Sequence, residues 1–372
     1  MNLLESVFGK VQRHPKRIVF PDGDELRVLK AAEEYVFNKL GVAILLGDKA
    51  EIAARAKEAN VSLKRILVIN PKEADDVPVF LKYLTSLPRY KSMAQAEALR
   101  IVTTPNYFAT LMIQHGQADG LVGGLHSTSG GLLRPLFQII RTLPGVKSIC
   151  GCMVMEVPKS DFGEEGLFCF ADCAVIPKPT AAQLATIAIE SGKLMRQLTG
   201  RTPRVAMLSY TSKGSAQTEE VEKIAAATAL ARQHFIEHEL DIEIDGELQA
   251  DAALVPDVAV VKGLQGPVAG QANVLVFPDL ASGNIAAKLV ERLAKANAFG
   301  QLLLGLDKPA AEVSRGATTR DILGVAAITA LQAISYRNLY PQQGGRYGTI
   351  PAQAEAEAAT EAPGKTAKPS RA

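Results

Sequence analysis

Four short stretches of this 372-residue chain combine hydroxyls, glycines and charge in a way that could grip an anion. In the first, Asp119–Pro135, two glycine pairs and the hydroxyls of Ser127, Thr128 and Ser129 lead into Arg134. Glycines let backbone N–H groups approach an anion, hydroxyls add donors, and a guanidinium adds charge. The second, Leu208–Ser215, flanks Lys213 with Ser212 and Ser215 just before a helix start, again a phosphate-cradle composition. In the third, Phe277–Ile285, a strand breaks into a turn and then a helix, with Ser282 or Asn284 as the cap. The fourth places Ser314, Arg315 and Asp321 ahead of an apolar helix, at a spacing that lets hydroxyl, guanidinium and carboxylate converge. Thr318-x-x-Asp321 is also close to a capping box, in which Asp321 would only secure a helix start. Together the four turns describe a site for two anionic ligands.

Other chemistries find little support. Neither Gly-rich nucleotide loop, GxGxxG or GxxxxGK[ST], occurs, and the GxSxG elbow of serine hydrolases is missing. His234-Phe-Ile-Glu237-His238 matches the H-x-x-E-H zinc-protease pattern. It lies at the wet end of an amphipathic helix, with no further His in the next hundred residues. Cys150, Cys152, Cys169 and Cys173 sit in apolar surroundings at spacings unlike zinc knuckles, and read as small buried hydrophobes. No metal and no resident cofactor are expected.

The elements that must position these turns follow from the hydrophobic pattern. Strands are expected at Arg17–Phe20, Val42–Leu46, Ile66–Ile69, Gly120–Val122, Ile149–Val157, Val205–Tyr210, Val274–Phe277 and Leu302–Leu304. Amphipathic helices are expected at Glu25–Leu40, Thr180–Leu198, Glu219–Leu240 and Ile285–Ala298. The alternation indicates βαβ units and parallel sheets. About 340 ordered residues are too many for one such sheet, so two α/β lobes with a cleft between them are expected. From Pro341 the text turns to Ala, Glu, Pro and Gly, and residues 341–372 are expected to be a disordered tail.

Charge and composition narrow the partners. Lys and Arg number 41 against 39 Asp and Glu, a balance that argues against a nucleic-acid binder. No apolar run reaches the roughly 18 residues of a membrane span, the N-terminus lacks the features of a signal peptide, and four cysteines make no disulfide framework. A cytoplasmic protein with reduced thiols is the expectation.

Taken in order, the motifs resemble the phosphate acetyltransferase group of the phosphate acetyl/butyryl transferase family. The matching stretches are Phe20–Asp24, Ala118–Gly120 with Ser127-Thr128 and Leu133–Pro135, and Ala171–Val175 with Pro177 and Pro179. They continue through Leu208–Tyr210, Lys213–Ser215, Asp245–Gln249 with Asp251, Phe277–Leu280, Ser282–Ile285, and Ser314–Gly316 with Asp321. The resemblance runs collinearly over roughly residues 15–335.

It implies reversible transfer of an acetyl group between coenzyme A and inorganic phosphate, by direct reaction of the two substrates. The implied fold is two α/β domains with a cleft, like the isocitrate and isopropylmalate dehydrogenases, usually as a homodimer. The first domain would take 1–148 and 304–340, the second 149–303. Ser314, Arg315 and Asp321 match the family's catalytic cluster. Arg134 and Arg89 match substrate-binding arginines, and Ser127, Thr128, Ser212, Lys213, Ser282 and Asn284 are further candidates for holding CoA or phosphate. Arg315 suits phosphate through its fork, and Ser314 could donate to the carbonyl oxygen as charge develops. Asp321 is the nearest base for the CoA thiol. An ordinary aspartate and an ordinary thiol lie roughly 4–5 pKa units apart, about 6 kcal/mol, so that role asks for burial or concerted transfer. The rivals are a phosphate butyryltransferase, a non-catalytic acyl-CoA sensing domain, and a metal-dependent dehydrogenase, whose carboxylate cluster and coenzyme loop are not evident.

Overall fold

The apolar runs become the strands of one sheet, and the amphipathic runs cover its faces. The computed structural model describes residues 3–339, with side chains to Ile334; the tail expected over 341–372 lies outside the described residues. The chain begins α1 (Leu3–Arg13), β1 (Lys16–Phe20), α2 (Leu26–Phe37), β2 (Gly41–Leu46), α3 (Lys49–Glu58) and β3 (Ile66–Ile69). It continues α4 (Val77–Ser86), α5 (Gln95–Val102), α6 (Pro105–Gln114), β4 (Gly120–Gly123), α7 (Ser129–Ile139), β5 (Cys150–Glu156) and β6 (Leu167–Ala171). Next come α8 (Ala181–Thr199), β7 (Arg204–Leu208), α9 (Glu219–Glu237), β8 (Glu243–Leu248), α10 (Ala250–Leu254), α11 (Pro256–Val261) and β9 (Val274–Val276). The last are α12 (Leu280–Leu293), β10 (Asn297–Leu304), β11 (Ala310–Glu312) and α13 (Thr319–Leu339).

The mixed α/β class agrees with expectation; the number of sheets does not. Among the described residues, eleven strands form a single sheet in the order β3-β2-β1-β4-β11-β10-β5-β6-β9-β7-β8. Each flank is parallel, as βαβ units require. The flanks are fused because β10 pairs antiparallel with both β11 and β5, and β5 pairs antiparallel with β6. Chain length alone could not reveal this seam. The expected limits of the two lobes, 148/149 and 303/304, fall beside β5 and within β10.

Side-chain alternation along the strands sorts the core into layers. Ile18 and Phe20, Cys150, Cys152 and Val154, and Val205 and Met207 join one apolar cluster that runs beneath the whole sheet. Their neighbours divide into two separate clusters, with Val19, Ile44 and Leu303 in one and Met153, Phe168 and Ala206 in the other. All four cysteines are buried and unpaired with one another as disulfides.

Several helix starts are fixed by their first residues. Thr180 and Gln183 form a reciprocal capping box at α8. At α12 the cap is Asp279, whose side chain accepts from the Ser282 N–H at 2.8 Å. The helix therefore begins earlier than expected, with Ser282 and Asn284 inside its first turns, and residues 297 and 298 belong to β10. Because β4 and β11 run parallel, with Gly123 opposite Glu312, the loops after both strands leave from the same edge. That is where open α/β sheets place ligands.

Candidate active site

The loop after β11 carries the fourth motif. Ser314 and Arg315 are exposed on it, and α13 starts just beyond. The loop is held from below by Arg27, which donates from Nη1 to the carbonyls of Arg315 and Ala317 at 2.8 Å each and pairs with Glu25 at 2.8 Å. Asp321 forms the capping box that the sequence allowed. Its Oδ2 accepts from the Thr318 N–H and hydroxyl, both at 2.8 Å, and its N–H donates to Thr318 Oγ1 at 3.2 Å. It is only half-buried, so the burial asked of a thiol base is not supplied. Both hydrogen bonds land on Oδ2 and Oδ1 takes none, so capping leaves one oxygen for chemistry.

Ser314, Asp321 and Asn284 line one cleft of about 200 Å³, together with Ser129 of α7, Lys288 and Glu291 of α12, Gln301 of β10 and Glu312 of β11. Basic charge comes from α12. Lys288 pairs with Glu291 at 2.9 Å, and Arg292 reaches to 3.9 Å from where a Cβ on Gly316 would sit. Asn284 and Gln301 both donate to the Cys173 carbonyl, at 3.1 and 3.2 Å. That carbonyl belongs to a loop gathered by Asp172, whose buried carboxylate accepts from the N–H groups of Gly151, Ala174, Val175 and Ile176. Gln301 follows Gly300 at a register shift in β10, and its amide oxygen is buried without a partner.

Glu312 is 8% exposed, and burial pushes its carboxyl above the ordinary glutamate range, partly offset by a hydrogen bond with Ser129. It packs tightly against Gly124, where a Cβ would lie 2.9 Å from Glu312 Cγ and 2.8 Å from the Val313 carbonyl. Gly124 also has φ +119°, so only glycine suits that turn.

The glycine turn after β4 behaves differently from its sequence reading. Its N–H groups already hold an anion, the Asp22 carboxylate, which accepts from Gly124 at 2.9 Å, Leu125 at 3.0 Å and His126 at 3.3 Å. Ser127 lines a second cleft with Asp22, Asp24, Asp48 and Glu51, an acidic lining that repels phosphate. His126 stands 3.4 Å from both Asp24 and Glu25. Thr128 is the N-cap of α7, without a side-chain capping bond.

The other candidates divide. Arg89 and Arg134, exposed and on different elements, share one neighbourhood: burial pushes the Tyr90 phenol up, and both guanidiniums oppose that shift. Lys213 is occupied by an ion pair with Asp245 and a bond to the Gly246 carbonyl, and Ser212 accepts from the Gln249 N–H at 3.0 Å. The Ser282 hydroxyl donates to the Asp279 carbonyl at 2.9 Å. None of these three lines the cleft of Ser314.

His234 and His238 stack 4.0 Å apart, and His238 Nδ1 lies 3.0 Å from the His234 carbonyl. Among the described residues no group of three or more His, Cys, Asp or Glu is placed to hold a metal ion. Sequence reasoning missed Glu312, Lys288, Gln301 and Arg27. Glu312 left a signal, a carboxylate inside the apolar run Ala310–Val313 two residues ahead of Ser314. Arg27 left none.

Residues 2–330 match the family model described as phosphate acetyl/butaryl transferase. The phosphate acetyltransferase of Thermoanaerobacterium thermosaccharolyticum is 43% identical over 333 residues, covering 90% of this chain and 100% of the relative. That of Bacillus subtilis is 38% identical over 333 residues, covering 90% and 99%. Among solved structures, the EutD phosphotransacetylase from Staphylococcus aureus superimposes with a TM-score of 0.80 at 36% identity, covering 89% of this chain and 98% of that one.

Proposed function

The chain belongs to the phosphate acetyl/butaryl transferase family, and we propose that the cleft between the β11–α13 loop and α12 is where it transfers an acetyl group reversibly between coenzyme A and phosphate. The supporting observation is the convergence of Ser314, Asp321 and Asn284 on one cleft, with Arg315 on the same loop. Phosphate attacking a thioester needs a bound dianion, a stabilised oxyanion and a leaving thiolate. Arg315 binds the phosphate bidentately, with Lys288 and Arg292 adding charge. Ser314 donates to the acetyl carbonyl oxygen as it becomes negative. Asp321 takes the thiol proton in the reverse direction through Oδ1, in concert with C–S bond formation. Holding both substrates together supplies much of the acceleration, with no covalent acyl-enzyme. No resident cofactor takes part in this scheme.

The cleft is small for a ligand pocket, so it takes only the reacting ends, and the nucleotide of CoA lies outside, toward Arg134 and Arg89. Arg134→Ala should therefore raise the KM for CoA by about tenfold or more, the loss of one charge-assisted hydrogen bond. The increase should be smaller for a CoA analogue lacking the 3′-phosphate; an unchanged KM with collapsed kcat would place Arg134 elsewhere. Thioester absorbance with acetyl phosphate and CoA tests the activity itself. Greater turnover with butyryl phosphate would move the chain to the longer-acyl branch.

The working form is a homodimer. Support comes from α12, whose Ile285, Leu289 and Leu293 recur at a four-residue spacing and are 59%, 52% and 80% exposed. Such a stripe commonly marks an interface. Sedimentation should give a dimer for the native chain and a monomer for Leu289→Glu. No helix among the described residues is long and apolar enough to cross a membrane, and four buried free thiols suit a reducing cytoplasm.

A further inference from the structure

We propose that Glu312 is the general acid–base on the phosphate side of the reaction, partner to Asp321 on the sulfur side; this rests on the acetyl-transfer reading above. The two carboxyls line the same cleft in opposite environments. Asp321 is half-buried at the start of α13 and hydrogen-bonded as an acceptor. Glu312 is buried on β11, wedged against Gly124, with Ser129 as its hydrogen-bond partner. Two carboxyls held in environments this different divide naturally into an acid and a base.

The chemistry calls for such a pair. When CoA attacks acetyl phosphate, the S–H bond breaks and its proton passes to Asp321 as the S–C bond forms. The bond between the acetyl carbon and the bridging oxygen then breaks, and its electron pair remains on that phosphate oxygen. Unprotonated, that group would depart as a trianion. The Glu312 carboxyl delivers a proton to that oxygen, so the product leaves as the hydrogen phosphate dianion. Asp321 returns its proton to Glu312 across the cleft, and the net transfer is from thiol to phosphate. In the opposite direction the Glu312 carboxylate takes the proton of the attacking phosphate.

The charged and titratable groups that line the cleft with Glu312 are Lys288 and Glu291 from α12 and Asp321 from α13, with the Ser129 hydroxyl from α7. Burial pushes its carboxyl up, and the Ser129 hydroxyl opposes that rise. Burial favours the protonated form that an acid requires.

Glu312→Gln keeps the size and removes the transferable proton. With acetyl phosphate and CoA it should lower kcat by about 10²–10³-fold, with thermal midpoint and CoA affinity near those of the native chain. With acetyl methyl phosphate, whose departing methyl phosphate is a stable dianion without a proton, the loss should be under tenfold. In the acetyl-CoA-forming direction the native rate should fall as pH rises through the Glu312 pKa, and the variant should lack that fall. Should the native chain reject the methyl ester, this pH profile decides. Equal losses with both donors, an unchanged profile, or a loss that follows the thermal midpoint would make Glu312 a packing residue and overturn the proposal. A native chain inactive with acetyl phosphate and CoA would instead overturn the acetyl-transfer reading, and this inference with it.

Discussion

Asp321→Asn is expected to lower kcat by about 10²–10⁴-fold, the usual worth of a positioned general base, with little change in KM for CoA or acetyl phosphate. The capping box makes this a sharp test, because the same carboxylate also secures α13. Asparagine keeps an oxygen that can accept from the Thr318 N–H, so stability should fall by no more than about 1 kcal/mol. Thr318→Ala supplies the converse. It removes the hydroxyl that contacts both the Asp321 carboxylate and its N–H, and should cost about 1 kcal/mol while leaving the base in place. Steady-state kinetics and urea denaturation on both variants separate the roles. If Asp321→Asn lost only stability and kept its kcat, Asp321 would be a cap and nothing more.

Asp172→Ala, in the loop after β6, should be strongly destabilising, by about 3–5 kcal/mol. The carboxylate is 2% exposed and collects four backbone N–H groups within 3.1 Å. An orphaned buried donor costs about 1–3 kcal/mol; entering water and local relaxation keep the total below four full penalties. The damage should reach the cleft, because the next residue's carbonyl receives both Asn284 and Gln301. Activity should therefore fall even at temperatures where the variant remains folded. Urea midpoints and kinetics at low temperature check this. A variant less than 1 kcal/mol weaker would mean that water satisfies the loop.

Where periodicity was strong, the sequence was legible. Val42–Leu46 and Ile66–Ile69 are short apolar runs between turn residues, and they are strands. Glu243–Leu248 shows few apolar residues and Ala310–Glu312 is only three residues long, so neither announces a strand. Both exist because a neighbouring strand offers them hydrogen bonds. The candidate site divides in the same way. Ser314, Arg315 and Asp321 stand within eight residues, close enough for local spacing to show convergence. What occupies the donors of the Gly123–His126 turn depends on Asp22, roughly a hundred residues earlier. A glycine turn filled by the chain's own carboxylate and one awaiting phosphate look alike in one dimension. Lys213 is alike in this respect, since its partner Asp245 comes from another strand.

The order of strands in the sheet also sets a timetable for synthesis. β4 is made early, yet the strand beside it, β11, and the helix packed on β4 and β1, α13, come from the far end of the chain. A ribosome that has delivered the first 300 residues therefore holds an N-terminal half with one β4 edge unpaired and its covering helix unmade. Exposed strand edges of this kind invite pairing with other chains, and closing so distant a contact is slow. The last strand and helix act as a clasp. Until they emerge, the β4 edge stays open, and a product ending before β11 should aggregate rather than fold as a smaller domain.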